Sequence, residues 1–253
     1  MSPIRNSKAR TTTSKIRKDK YGIPIIDREQ IEDKAEEFIR FFNTTLLVEP
    51  KPTPVMDICY AICTQFKVPF VFDKDLGLST SGKKILGRFQ QKPRTIYIDP
   101  TLDSSSPRCR FTICHELGHL VFHRAVDLKG AQAEDSDTDD DVMENPSPPR
   151  TNREWMEWHA NSFASSVLIP RRTLHQAVIA LVKELGFTKI SFGILYVDNQ
   201  QCNLRTYYTI RDRLCAIYCA SKICVEIRLK QTNILVDERL QSRDNIYELL
   251  REE

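Results

Sequence analysis

The chain has 253 residues, of which 41% are hydrophobic and 28% charged. That is ordinary globular usage, with length enough for a substantial core. It excludes a wholly disordered chain, a collagen and a coiled-coil rod, and no apolar run approaches the ~18 residues of a membrane span. Thirty-seven Lys and Arg against 34 Asp and Glu leave a net charge of +3, too little for nucleic-acid binding across the whole surface.

The charge is unevenly placed. Residues 1–20 hold Arg5, Lys8, Arg10, Lys15, Arg17, Lys18 and Lys20 against the single acid Asp19. Residues 1–22 therefore read as a flexible basic arm. They lack the apolar stretch of a secretory signal, so none is expected. Asp27, with Gln30 after it, writes a capping box for a helix over 28–43, whose inner face is Ile31, Ala35, Phe38, Ile39 and Phe42. The Pro-rich link 49–54 precedes a second helix with Val55, Ile58, Cys59, Ile62 and Cys63 on one face. Val68–Asp73, Ile85–Phe89 and Thr95–Asp99 are strand-like and separated by Gly77, Gly82 and Pro93, which predicts a small antiparallel sheet.

Pro107, after a serine run that can cap it, opens a third helix, RCRFTICHELGHLVFHRAV. Residues 134–149 are acidic and Pro-rich and read as a solvated, self-repelling loop, since the spacing and Gly of a calcium loop are missing. A helix follows from about Asn152 to Pro170 and another from Arg171 to Leu185, ended by Gly186. The segment 189–197 reads equally as a strand or a buried helix start. Ile210–Ala220 and Ser221–Lys230 predict two short, tightly joined helices, capped at Ser221, with Leu214, Ile217, Tyr218, Ile223, Ile227 and Leu229 turned inward. The eight cysteines form no C-x-x-C pair and sit among core-type residues, which predicts reduced thiols in a cytoplasmic protein.

The chemistry concentrates in His115-Glu116-Leu117-Gly118-His119. On a helix, positions i and i+4 share a face and lie about 6 Å apart along the axis, so two imidazoles can converge on one zinc ion. Glu116 lies about 60° round the helix from His119, beside such an ion without binding it, where a general base for a water molecule belongs. His123 continues the stripe but is about 12 Å along the axis from His115, and is read as a supporting or packing residue. A catalytic zinc needs a third protein ligand. Glu157 is the best source, because it shares a face with Ala160, Asn161 and Ala164, whose small size would let that helix approach Gly118 closely. Glu154 and His159 compete for the role, and pairing of Glu157 with an arginine is the plain alternative.

The segments Arg110–His119 and Glu157–Ala164, followed by Leu168-Ile169-Pro170, resemble the ImmA/IrrE family of metallo-endopeptidases over roughly residues 25–240. The resemblance implies an α+β fold, with a small antiparallel sheet on a helical zincin-like core and a C-terminal helix-turn-helix-like segment. It implies Zn²⁺ held by His115, His119 and Glu157, with Glu116 as the catalytic carboxylate. It also implies a protein substrate, a helix-turn-helix repressor, whose cleavage relieves repression in a stress, mobile-element or phage-related response. In these terms the arm 1–22 precedes a peptidase domain 23–200 interrupted by the loop 134–149, which could gate the cleft, and a helical segment 201–253. The family often has an acid just before the Ala of its second motif, where this chain has His159. The rival reading is a DNA-binding regulator with a structural zinc, contacting nucleic acid weakly through 1–20 or 210–230. Lys222, Arg228 and Lys230 would be its thin electrostatic footprint.

Overall fold

The computed structural model describes residues 16–127, 129, 137–138, 151–186 and 194–239. The first helix, α1 (Arg28–Phe42), starts at the expected capping box, in which Asp27 Oδ1 accepts from the Gln30 N–H at 2.8 Å and Gln30 Oε1 accepts from the Asp27 N–H at 3.0 Å. Ile31, Ala35 and Ile39 are buried, as their spacing predicts. A 3-10 turn (Thr44–Leu47), not anticipated from the sequence, leads through the Pro-rich link to α2 (Val55–Phe66). Val55, Ile58, Cys59 and Ile62 of α2 are buried, whereas Cys63 is exposed.

The sheet has the order β1-β3-β2-β4. Strands β2 (Ile85–Gln91) and β3 (Arg94–Ile98) form the expected antiparallel hairpin, with Gly87 opposite Ile98 and Gln91 opposite Arg94. The first strand, β1 (Phe70–Val71), is shorter than predicted and joins β3 in parallel, so the sheet is mixed. From the acidic loop, whose other residues lie outside the described ones, the backbone of β4 (Asp137–Thr138) pairs antiparallel with β2. Buried Asp99 closes the end of β3. It accepts from the N–H groups of Leu76 and Thr101 and from the Thr101 hydroxyl, and lies 3.0 Å from Lys84 Nζ.

Helix α3 (Pro107–Phe122) packs against both this sheet and α4 (Asn152–Leu168), and α1 also packs against α4. Ser106 caps α3, and a Thr151–Glu154 capping box starts α4. Glu154 is therefore engaged at the helix start and is not among the side chains that converge with His115 and His119. Edge-on ring contacts at 5.3 Å (Phe38–Phe163) and 5.6 Å (Phe122–Phe163) join α1, α3 and α4. Of the expected N-terminal arm, residues 1–15 lie outside the described ones. Residues 16–22 fold back: the Tyr21 carbonyl accepts from the Asp127 N–H at 2.9 Å, and the Tyr21 ring packs on Ile23, Val126 and Met156.

Helix α5 (Arg171–Glu184) ends at Gly186, whose φ of +67° is the left-handed turn expected there. Strand β5 (Leu195–Val197) resolves the ambiguity of 189–197 for its last residues and pairs in parallel with β6 (Leu235–Asp237), which the sequence reading missed. Helix α6 (Gln201–Tyr218) starts nine residues before the predicted Ile210. Helix α7 (Lys222–Gln231) is capped at Ser221 as expected, but its buried face is Cys224, Val225, Arg228 and Leu229, with Ile223 51% exposed.

The reason for this rotation is Arg228. Fully buried, it forms a forked ion pair with Glu32 of α1 and donates from Nε and Nη2 to the Ile169 carbonyl at the end of α4, at 3.1 and 3.0 Å. A reading that keeps arginine outside turns the helix the wrong way. The pairing also reduces the expected basic footprint: Lys230 lies 3.1 Å from Glu226 and 3.2 Å from Asp237, while Lys222 stays exposed, 3.9 Å from Asp212. Replacing Arg228 by Met should cost about 3–5 kcal/mol, because Glu32 is then buried without its partner. An Arg228→Met/Glu32→Met double variant should recover most of that loss in urea denaturation. A helix pair merely resting on the core would lose almost nothing in the single variant.

Candidate metal centre

The site begins with a close helix crossing. A Cβ on Gly118 of α3 would lie 2.8 Å from the Ala160 Cα and 3.2 Å from the Ala160 carbonyl oxygen of α4. Only glycine opposite a small residue allows this approach, as the sequence reading of Gly118 and Ala160 expected. The crossing sets the inner face of α4 directly against the histidine stripe of α3.

At the crossing, His115, His119 and Glu157 bring one ligand atom each to within 4.8 Å of one another, and all three side chains are buried. The two Nε2 atoms are 2.9 Å apart. Glu157 Oε2 lies 3.2 Å from His115 Nε2, and Glu157 Oε1 lies 3.8 Å from His119 Nε2. Ligands about 2.0–2.1 Å from a tetrahedral zinc stand roughly 3.3 Å apart, and the three observed separations straddle that value. Neither oxygen of Glu157 accepts a hydrogen bond among the described residues. A buried carboxylate in that condition is costly unless a cation or proton compensates it. The donor set therefore fits a divalent metal ion.

The rings are also set for that role. His115 Nδ1 lies 2.8 Å from Asn161 Oδ1. An amide oxygen only accepts, so this nitrogen carries the proton and Nε2 presents its lone pair. Asn161 thus has a supporting role that the sequence reading, which used it only as a small residue, did not give it. His119 Nδ1 lies 2.9 Å from His123 Nδ1, and His123 Nε2 lies 3.2 Å from His159 Nδ1. His123 and His159 are buried. Burial first, then the neighbouring imidazoles, pushes His123 well below the ordinary histidine range. Burial, followed by His119, pushes His159 down to about 3. Both are neutral near pH 7. His159, a rival ligand in the sequence reading, faces His123 rather than the ligand cluster.

Glu116, which follows His115 on α3, is buried and is not one of the three converging side chains. Its carboxylate lies against the backbone of β2: a Cβ on Gly87 would be 2.6 Å from Glu116 Oε1 and 2.7 Å from Thr112 Cγ2. Glycine at 87 is therefore a space requirement of the catalytic candidate, a signal absent from the local strand pattern. The Arg110 guanidinium anchors the start of α3 by donating to the Cys219 carbonyl at 3.1 Å and the Thr53 carbonyl at 2.8 Å.

Gly118→Ala sets two effects against each other. Helix propensity favours Ala by about 1 kcal/mol, whereas forcing a methyl into a packed crossing costs about 1–3 kcal/mol. The clash is with backbone atoms, so it should win. Thermal unfolding should occur at lower temperature, and zinc affinity in a chelator competition should fall at least about tenfold, because the ligands sit on both sides of the widened crossing.

Residues 71–185, from β1 to the end of α5, match the family model Peptidase M78, described as the IrrE N-terminal-like domain. No curated protein matches the chain. Among solved structures, a Mycobacterium tuberculosis transcriptional regulator is similar at 16% identity and a TM-score of 0.46, over 79% of this chain and 55% of that one. The chain thus spans little more than half the length of that structure. The matched stretch contains all of His115, Glu116, His119 and Glu157, so the whole candidate site falls within the part of the chain that is similar to an IrrE N-terminal-like domain.

Proposed function

We propose that the chain is a zinc-dependent endopeptidase that cleaves a regulatory protein, a helix-turn-helix transcriptional repressor. The observation that carries the chemistry is the buried convergence of His115, His119 and Glu157, together with a fourth buried side chain, Glu116, next to His115 on the same helix and occupying the space that Gly87 leaves. Three protein ligands leave one position of a tetrahedral ion open, the arrangement of catalytic rather than structural zinc. When bound, the ion would polarise a water molecule and the carbonyl of a scissile peptide.

The chain's own residues supply the rest. His115, fixed by Asn161, and His119, backed by His123, offer lone pairs in set directions. Glu116 accepts the proton of the attacking water and returns it to the leaving amine. Gly87 keeps that carboxylate in its slot by leaving no Cβ in its way.

The substrate class rests on the family resemblance, and with it the roles in transcription regulation and stress response. The rival, a DNA-binding regulator, has less support, since Arg228 is buried on Glu32 and Lys230 is paired. Among the described residues no helix is long and apolar enough to cross a membrane. The eight free cysteines suit the reducing cytoplasm; burial pushes the Cys59 and Cys224 thiols up to about 12.

Glu116→Gln should keep zinc while lowering cleavage of a co-produced candidate repressor by roughly 10²–10⁴-fold. Glu157→Ala should lose the metal as well. If Glu116→Gln cleaved as fast as the unaltered chain, the peptidase reading would fall. Gly87→Ala should act chiefly on the carboxylate, with Thr112 of α3 also in the way of the methyl: turnover reduced at least about tenfold because Glu116 is displaced, and zinc affinity reduced by less.

A further inference from the structure

His119, His123 and His159 form one file of rings running away from the candidate metal position, at 2.9 Å and then 3.2 Å between facing nitrogens. Each neutral ring has one N–H and one lone pair, so a file joined by nitrogen–nitrogen hydrogen bonds has only two self-consistent proton arrangements. In the first, His119 donates from Nδ1 to His123 Nδ1, His123 donates from Nε2 to His159 Nδ1, and His159 keeps its proton on Nε2. In the second, every proton moves to the other nitrogen, and His119 carries its proton on Nε2, pointing at His115 Nε2 2.9 Å away. Only the first presents a lone pair on His119 Nε2 to a cation.

We infer that His123 and His159 are positioning residues for His119, fixing through a shared hydrogen-bonded file both its ring orientation and the tautomer that binds metal. This rests on the zinc reading above. His123 and His159 touch no ligand position, and they act only through His119. His159 comes from α4 and His123 from the end of α3, so the file also ties the ligand's proton state to the packing of the two helices. The His159 ring is held in place by Phe122, Trp155 and Trp158, with ring centres 5.9, 5.9 and 5.4 Å away. It lies nearly parallel to His123, at 28°.

The test uses the whole chain and zinc ion alone. His123→Leu removes the acceptor facing His119 and should weaken zinc binding by about 10–100-fold in chelator competition. His123→Asn places an amide oxygen close to where Nδ1 stood and should restore most of that affinity. His159→Phe keeps a ring of similar size and should show an intermediate loss. In the zinc-loaded unaltered chain, long-range ¹H–¹⁵N correlation should show His119 protonated on Nδ1 and both His123 and His159 on Nε2, a readout that does not depend on any variant folding. Zinc held as tightly by a folded His123→Leu as by the unaltered chain, or His123 protonated on Nδ1 in the loaded chain, would overturn the inference while leaving the peptidase reading standing. Failure of the unaltered chain to bind zinc would overturn both.

Discussion

The close crossing of α3 and α4 at Gly118 and Ala160 is the contact on which the site depends. Helices usually pack with axes 8–10 Å apart. Here a single methyl at 118 would already meet the Ala160 backbone at 2.8 Å. That proximity puts Glu157 of one helix beside two imidazoles of the other, and puts Asn161 and His159 within hydrogen-bonding reach of His115 and His123. The distances between α3 and α4 in the centre follow from two residues that are small.

Such a crossing is expensive in polar terms. His115, Glu116, His119, His123, Glu157 and His159 are all buried, and most of that polarity must be satisfied locally. The structure does so in two ways. His119, His123 and His159 are joined into one hydrogen-bonded file, and the carboxylate of Glu157 converges with His115 and His119 where a cation can compensate it. The apolar surroundings, with Phe163, Ala164 and Leu117 fully buried, keep the local dielectric low and make each of these interactions stronger. The same physics explains Arg228, which is buried because it meets Glu32 and the free carbonyl at the end of α4 together. It fastens the C-terminal helices to the core by an interaction that tolerates little displacement.

The catalytic candidate obeys a different constraint from the metal ligands. Glu116 is placed by the sheet, through the missing side chain of Gly87, whereas the ligands are placed by the helix crossing. Pairing of β4 with β2 at Gly87 brings part of the acidic segment onto the strand that carries this contact.

Local pattern was enough to determine much of this protein. Capping residues and apolar spacing marked α1, α2, α3, α4 and α5 nearly to their ends, because these are signals carried within a few residues of chain. The i, i+4 histidines and the adjacent glutamate, and the small residues around Glu157, were equally legible, since helical geometry relates them without reference to the rest of the fold. Tertiary structure alone decided the parallel joining of β1, the β5–β6 pair, the inward face of α7, the slot at Gly87 and the file from His119 to His159. Each of these depends on groups far apart in sequence meeting in space. Arg228 and Glu32 stand 196 positions apart, and no periodicity within either helix encodes the other's presence.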